Sequence, residues 1–280
     1  MTALQQTFSW IGPSSDPNDD QIGDLVTPAT MADAASAAVV LVGEPYDGAV
    51  VSRQGAREGP GAIRSELAAT KAYRMTGQSV PAIADLGDVD FDPGPVQAVH
   101  DQIETVTRAV HDLDAFPLFL GGDNSMSVPN IGPLVDDGRT AVVNFDAHLD
   151  CRAVHEEPTS GTPYRQLFER GLMDYVVVGA RHSETSETYV EYVRDQGGTI
   201  ITAPEVAERG VAVVDDVLDA IADDYDHLYV NIDVDVLDAS IARGVSAPTP
   251  GGLQARELYE ILYELATRVD LSGAEVVECA

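Results

Sequence analysis

Residues 141–150 read AVVNFDAHLD, an apolar, β-branched run that ends in alternating acidic and imidazole side chains. The same arrangement recurs at residues 117–124, which read PLFLGGDN, and at residues 228–235, which read LYVNIDVD. Ligands of parallel α/β sheets bind just beyond the carboxyl ends of the strands, so we expect these polar residues to meet at one place. Clustered carboxylates repel one another unless a cation neutralises them. The sequence therefore predicts an oxygen-rich site for two divalent metal ions.

The spacing of the candidate ligands supports this interpretation. Alternate residues of an extended segment point to the same side, so Asp146, His148 and Asp150 can converge, and Asp233 and Asp235 repeat the pattern. A lone aspartate in so acidic a chain is more simply a turn or helix-cap residue, but five such side chains behind two buried strands are not. Oxygen donors with one imidazole favour Mn²⁺ or Mg²⁺ over Zn²⁺. A pair of such ions lowers the pKa of a shared water, which indicates a hydrolase.

The charge of the chain limits its partners and its surroundings. Sixteen basic residues stand against 47 acidic ones, a net charge of −31 in 280 residues. Such a surface repels nucleic acid and anionic membranes, so neither is expected as a partner. The acids are spread along a chain that is 44% hydrophobic, which is typical of a folded protein. A salt-rich cytoplasm, in which salt screens the repulsion, accounts best for this composition, and we therefore expect a halophile.

Other features also favour the cytoplasm. Two cysteines give no disulfide framework, so the expected compartment is reducing. The N-terminus has no signal-peptide pattern, and no apolar run approaches the length that spans a bilayer.

Short apolar runs alternate with helical periodicity, which predicts an α/β fold. Helical patterns fill 95–115, 186–196, 212–222 and 254–270. We therefore expect three α/β/α layers around a mostly parallel, eight-stranded sheet in a single domain over residues 1–280. Residues 1–35 should form an irregular N-terminal lead. The chain stops directly after its last strand, where such folds usually add a helix, so truncation of the C-terminus is an open alternative. The predicted strands are 38–43, 82–86, 116–120, 140–145, 175–180, 199–202, 227–232 and 275–278.

The motifs in this order resemble those of the ureohydrolase family, which includes arginases, agmatinases, guanidino-acid hydrolases and formimidoylglutamases. Nearly the whole chain is covered. The resemblance implies an arginase-like fold and cleavage of a C–N bond in an amidine or guanidine. The matching segments are Gly59-Pro60 with Ile63-Arg64, Asp85 to Val89, Gly121 to Ser125, Asn144 to Asp150, and Asn231 to Asp238.

The resemblance also implies residue roles and an oligomer. It places two Mn²⁺ ions per subunit, bridged by Asp146 and Asp233. Asp150 would also hold the attacking water and pass its proton to the leaving nitrogen, while Glu278 would bind the amidine. Subunits of the family commonly form trimers or hexamers. In this scheme one ion is completed by His148 and Asp235, and the other by Asn124 and Asp150.

Two departures narrow the choice within the family. Asn124 stands where most members have a histidine ligand, and an amide oxygen is the weaker donor for Mn²⁺. One metal should therefore be held loosely; a non-catalytic relative that has lost this metal is the alternative. Ser160 stands where arginases and agmatinases have a histidine. Both substitutions resemble formimidoylglutamases.

Arginines near the site indicate the substrate. Arg152 lies two residues after Asp150, and Arg181 ends a predicted strand on the same side. A guanidinium suits a carboxylate and repels the ammonium group of agmatine; pairing of each arginine with a nearby aspartate is the alternative. We therefore expect substrate binding by Arg152, Ser160, Arg181 and Glu278.

The expected reaction is hydrolysis of N-formimidoyl-L-glutamate to L-glutamate and formamide, and the alternative is an agmatinase or other guanidino-acid hydrolase that releases urea.

Overall fold

A twisted sheet of ten strands forms the centre of the fold. The computed structural model describes residues 3–75, 77, 79–221 and 224–280. Within them the strand order is β1-β4-β3-β5-β10-β9-β6-β7-β8, and β2 also pairs with β4. Only the pairing of β1 with β4 is antiparallel among these strands. The strands are β1 (Ala3–Gln5), β2 (Thr27–Pro28), β3 (Val39–Gly43), β4 (Ile83–Asp90), β5 (Phe116–Leu120), β6 (Thr140–Phe145), β7 (Asp174–Ala180), β8 (Thr199–Thr202), β9 (His227–Asp233) and β10 (Gly273–Val277).

All eight predicted strands are present, and the mostly parallel sheet is confirmed. The predicted strand count is wrong, because the N-terminal lead contributes β1 and β2, two strands too short to show a pattern. Strand β4 runs to Asp90, beyond the predicted end at residue 86, and this extension pairs with β1. The lead is therefore only partly irregular. A single domain over residues 1–280 stays a prediction.

Helices cover both faces of the sheet, which confirms the three layers. Val142 and Val177 pack against α2 to α5 on one face, and Val143 and Val176 pack against α6 to α8 on the other. These strands are buried on both sides, as expected for a parallel sheet between helices. Among the described residues, no helix is long and apolar enough to cross a membrane. The helices are α1 (Gly59–Ala69), α2 (Val96–His111), α3 (Ser127–Asp137), α4 (Pro163–Arg170), α5 (Glu187–Asp195), α6 (Ala203–Arg209), α7 (Val213–Asp219) and α8 (Ala255–Arg268).

A buried ion pair fastens the N-terminal lead to the sheet. The carboxylate of Asp85, on β4, accepts hydrogen bonds from Nε and Nη2 of Arg64, each at 2.9 Å. The indole N–H of Trp10 donates to the same carboxylate at 2.7 Å. Trp10 also packs on Leu41 and Ala68, so the lead covers the edge of the core beside α1. Because both oxygens of Asp85 are satisfied, its burial is tolerated.

Candidate active site

The sheet order brings the acidic segments together. Strands β5, β10, β9 and β6 are neighbours at the centre of the sheet, and all four run parallel. Their carboxyl ends therefore lie side by side. Asn124 follows β5, Asp146 follows β6, Asp233 ends β9 and Glu278 follows β10. One edge of the sheet thus carries every candidate ligand.

The candidate ligands form two groups that share Asp146. The first is Asp146, His148 and Asp235, and the second is Asp146, Asp150 and Asp233. Within each group the ligand atoms lie within 4.8 Å of one another. Nδ1 of His148 is 3.2 Å from Oδ1 of Asp146 and 3.4 Å from Oδ2 of Asp235. The predicted convergence of Asp146 and Asp233 is therefore observed.

The electrostatics of this cluster call for a cation. Burial, with the neighbouring carboxylates, raises the pKa of Asp150 and of Asp233 well above the ordinary value. Burial and the charge of Asp146 raise the pKa of Asp235 to about 7. Burial lowers the pKa of His148, but its carboxylate neighbours outweigh this and raise that pKa to about 10. Oδ1 of Asp235 is buried with no hydrogen-bond partner among the described residues. The donors fit divalent metal ions, which would neutralise the repulsion.

Each ligand loop is held by its own aspartate. Oδ1 of Asp146 accepts the backbone N–H of His148 at 2.7 Å, and Oδ1 of Asp233 accepts that of Asp235 at 2.8 Å. The chain is no longer extended here, since Val234–Val236 form a 3₁₀ turn and Asp150 has a positive φ, so these turns bring the ligand side chains to the cluster. Nδ2 of Asn144, on β6, donates to Oδ2 of Asp146 at 3.1 Å and so holds that carboxylate in place.

The backbone is strained at two site residues. Asp150 has φ of 42° and Glu278 has φ of 62°, and they are the only non-glycine residues with positive φ in the described ranges. Such conformations cost about 1–3 kcal/mol each and persist where surrounding contacts hold them. The N–H of Tyr164 binds the carbonyl of Asp150, and the N–H of Asn124 binds Oε1 of Glu278 at 2.8 Å. Strain at both predicted catalytic residues indicates a functional site.

Asn124 lies in the cluster, but its amide is turned away from the ligand orientation that we predicted. Nδ2 donates to Oδ2 of Asp150 at 2.5 Å and lies 3.5 Å from Oδ2 of Asp146. Oδ1 instead accepts from Nδ2 of Asn231 at 2.7 Å and from Oγ of Ser127 at 2.9 Å. In this arrangement Asn124 donates to carboxylates, and the amide must rotate by half a turn to offer its oxygen to a metal ion.

A cleft opens onto the cluster and contains the predicted substrate residues Arg152, Ser160 and Glu278. The side chain of Arg152 is exposed and has no ion pair within the described part of the chain. Oγ of Ser160 accepts the N–H of Val51 at 3.1 Å, which leaves its proton available to the cleft. Burial and the charge of Asp123 raise the pKa of Glu278 to about 8. The cleft is lined by Val51, Ser52, His148, Asp150, Arg152, Ser160, Gly161, Asp233, Asp235, Ser246, Ala247 and Glu278.

The prediction that Arg181 binds substrate is wrong. Its side chain is buried, and its guanidinium donates to the backbone carbonyls of Asp235, Leu237 and Thr249. It does not line the cleft. The sequence indicated that Arg181 lies at a strand end. It could not indicate that the guanidinium donates all its observed hydrogen bonds to groups later in the chain.

Sequence reasoning missed three residues of the site. Asn144 and Asn231 each lie two positions before a ligand, on the same side of the strand, and they are polar residues inside apolar runs; that signal could have identified them. Oε2 of Glu184, in the loop after β7, lies 3.6 Å from Nε2 of His148. No pattern in the sequence distinguishes Glu184 from the other surface acids.

Comparison with known proteins agrees with the geometry. Formimidoylglutamase from Halobacterium salinarum is 49% identical over an alignment of 282 positions, which covers 99% of this chain and 92% of that protein. The crystal structure of formimidoylglutamase from Bacillus subtilis aligns with a TM-score of 0.89 at 31% identity, covering 96% of this chain and 86% of that one. Formiminoglutamase from Trypanosoma cruzi, crystallised with Mn²⁺, aligns with a TM-score of 0.84 at 28% identity over 93% and 90% of the two chains. The model of the arginase family matches residues 37–280, and this chain belongs to that family.

Proposed function

We propose that this protein hydrolyses N-formimidoyl-L-glutamate to L-glutamate and formamide, with two Mn²⁺ ions per subunit. The observation that carries the proposal is the polarity of the cleft. Its lining combines Glu278 and the acidic cluster, which suit the cationic amidine, with the exposed Arg152, which suits a carboxylate. The substrate carries these two groups at opposite ends.

The acidic cluster supplies the metal ligands in this proposal. Asp146 and Asp233 would be shared between the ions, His148 and Asp235 would complete one set, and Asp150 would complete the other with the rotated amide of Asn124. When bound, two such ions supply a water of lowered pKa and polarise the C=N group. The strained backbone of Asp150, whose carbonyl accepts the N–H of Tyr164, keeps its carboxylate directed at the cluster.

Asp150 is also the proton carrier of the reaction. Its carboxylate accepts a proton from the water that adds to the amidine carbon. The same proton then passes to the nitrogen of the glutamate product as the C–N bond breaks, so the water is divided between formamide and glutamate. Asp150 lines the cleft beside the cluster, where its carboxylate can hold the proton between the two steps.

Glu278 and Arg152 orient the substrate. The carboxylate of Glu278 accepts from the amidine N–H groups, and the N–H of Asn124 holds its Oε1 in place. Arg152 pairs with the α-carboxylate or the γ-carboxylate of the substrate, and the hydroxyl of Ser160, which also lines the cleft, donates to the substrate. Agmatine has an ammonium group where this arrangement presents a guanidinium, so it should be a poor substrate.

We also propose a setting for the enzyme. The net charge of −31 supports a salt-rich cytoplasm, where mobile ions screen the acidic surface. The family resemblance supports a homo-oligomer, a trimer or a hexamer.

Identifying the reaction products tests the proposed function. The metal-stripped protein is assayed in concentrated KCl with added Mn²⁺ against formimidoylglutamate, agmatine, arginine and 3-guanidinopropionate, and formamide, glutamate and urea are measured separately. We expect formamide and glutamate in equal amounts from the first substrate, dependent on Mn²⁺. Urea from agmatine with no turnover of formimidoylglutamate would contradict the proposal.

A further inference from the structure

Arg181 is a buried cation that the proposed reaction does not use. It follows β7 and is only 4% exposed. Nη2 donates to the carbonyl oxygens of Asp235 and Leu237, the second at 3.0 Å. Nη1 donates to the carbonyl oxygen of Thr249 at 3.0 Å and also to its hydroxyl. The guanidinium thus joins the turn after β9 to the later segment that carries Thr249.

Residue 181 contacts both loops that carry the candidate ligands. Its backbone N–H donates to the carbonyl of Ala147 at 3.0 Å, between Asp146 and His148. Its side chain binds the carbonyl of Asp235. The three members of the first ligand group are therefore fixed, through their own backbone or an adjacent one, to this one residue.

The chain leaves space for the guanidinium. A Cβ atom at Gly252 would lie 2.4 Å from Nη2 of Arg181, closer than any real Cβ contact. A Cβ atom at Gly179 would lie 2.3 Å from Cγ2 of Val236, inside the turn that Arg181 holds. Glycine at both positions allows β7, the turn and the arginine to pack together.

We propose that Arg181 is a positioning residue for the group Asp146, His148 and Asp235. It holds the backbone of Asp235 so that the carboxylate faces the cluster, and it places a positive charge beside that acid. This inference rests on the proposed metal function. Among the candidate ligands the side chain of Arg181 contacts only Asp235, which belongs to one of the two groups, so its loss should weaken one metal site and spare the other.

Titration with Mn²⁺ tests the inference without an activity assay. Free Mn²⁺ is followed by electron paramagnetic resonance while the metal-stripped protein is titrated, in the wild type and in the variants Arg181→Met and Arg181→Lys. We expect two ions per wild-type chain. In Arg181→Met one ion should bind as before, and the other about 10–100-fold more weakly, the usual cost of losing a partner that orients a ligand. Arg181→Lys keeps the charge but spans fewer carbonyls, so its loss should be smaller and at the same site.

Arg64→Lys is the matched control, because Arg64 is also buried and multiply hydrogen-bonded but serves Asp85 instead. It should lower Tm and leave both Mn²⁺ affinities unchanged. The inference is overturned if Arg181→Met binds both ions like the wild type, or if both affinities fall equally. If Arg181→Met does not fold, wild-type affinities in Arg181→Lys overturn it. If the wild type binds Mn²⁺ and both Arg181 variants bind it with the same affinities, this inference alone is refuted. If the wild type binds no Mn²⁺, the proposed function is refuted as well.

Discussion

At the scale of single residues, Arg152 is the proposed partner of the substrate carboxylate. Replacing it with methionine keeps an unbranched apolar side chain and removes the guanidinium charge. Hydrogen bonds to charged groups contribute about 1.5–3 kcal/mol, so the KM for formimidoylglutamate should rise about 10–100-fold while kcat changes much less. Steady-state kinetics with saturating Mn²⁺ measures both constants.

Arg256→Met is the control for this substitution, since Arg256 is an exposed arginine on α8 that pairs with Glu260. It should leave KM unchanged. An Arg152→Met enzyme with the KM of the wild type would show that Arg152 does not contact the substrate.

The orientation of Asn124 leads to a second prediction. Its amide now donates to Asp150, and its oxygen is held by Asn231 and Ser127. Metal binding must break these bonds, whereas a histidine offers a nitrogen lone pair directly. Asn124→His should therefore tighten the weaker Mn²⁺ site by about tenfold, because imidazole is the better donor for this ion. Isothermal titration calorimetry measures both sites, and an unchanged or weaker second site would contradict this account.

Single residues also show which parts of the candidate site can be predicted from the sequence. The metal candidates Asp146, His148, Asp150, Asp233 and Asp235 could be predicted because their spacing follows the period of an extended chain. The amide orientation of Asn124 could not, because it depends on Asn231, a residue 107 positions away. The role of Arg181 depends likewise on carbonyls 54 and 68 positions away.

At the scale of elements, β3, β10 and α3 meet at a buried pair of acids. Nδ2 of Asn130 donates to Oε2 of Glu44 at 2.8 Å and to Oε2 of Glu275 at 2.7 Å. Oε1 of Glu44 has no hydrogen-bond partner among the described residues. Burial raises the pKa of Glu44 well above its ordinary value and that of Glu275 to about 7. Both acids therefore favour their protonated forms in the folded chain.

This pair predicts a pH dependence of stability. A folded pKa above the unfolded value gives stability that is complete below the unfolded value of 4.5 and is lost as pH rises through about 7. Glu44→Gln stays neutral and should therefore be more stable than the wild type at pH 8. The gain should shrink as pH falls and vanish near pH 5, close to the unfolded value. Thermal unfolding of the metal-stripped proteins at both pH values measures it.

Glu66→Gln on α1 is the control, because Glu66 is exposed. It removes the same charge from the surface and should shift Tm equally at both pH values. A Glu44→Gln variant that is less stable than the wild type at pH 8 would show that the buried glutamate stabilises the fold as an ion.

The elements also differ in how well the sequence predicts them. The strands are clear because short Val-rich and Ile-rich runs alternate with polar turns. Helices α2, α5, α7 and α8 lie within the predicted helical windows because each has one apolar stripe. Helix α3 does not show such a stripe, since it contains Pro129, Gly132 and Pro133 and is buried on nearly all sides over its first eight residues. Strands β1 and β2 owe their existence to pairing with β4, which no local pattern reveals.

At the scale of the whole molecule, the charge should make the fold dependent on salt. A net charge of −31 on 280 residues opposes the compact state, and salt screens this repulsion over about 10 Å at 0.1 M and less at higher concentration. Tm should rise steadily from dilute buffer to molar KCl. Chloride salts are the appropriate choice, because sulfate stabilises proteins by exclusion from their surface. A Tm that is equal in dilute buffer and in molar KCl would exclude a halophilic surface.

X-ray diffraction can test directly whether the two ligand groups at the ends of the central strands each bind a metal ion. Crystals of the protein soaked with Mn²⁺ are measured at the manganese absorption edge, and an anomalous difference map is calculated. We expect two anomalous peaks per chain, one among Asp146, His148 and Asp235 and one among Asp146, Asp150 and Asp233. A map with no peak at these carboxylates, from crystals in which Mn²⁺ is present at saturating concentration, would contradict it.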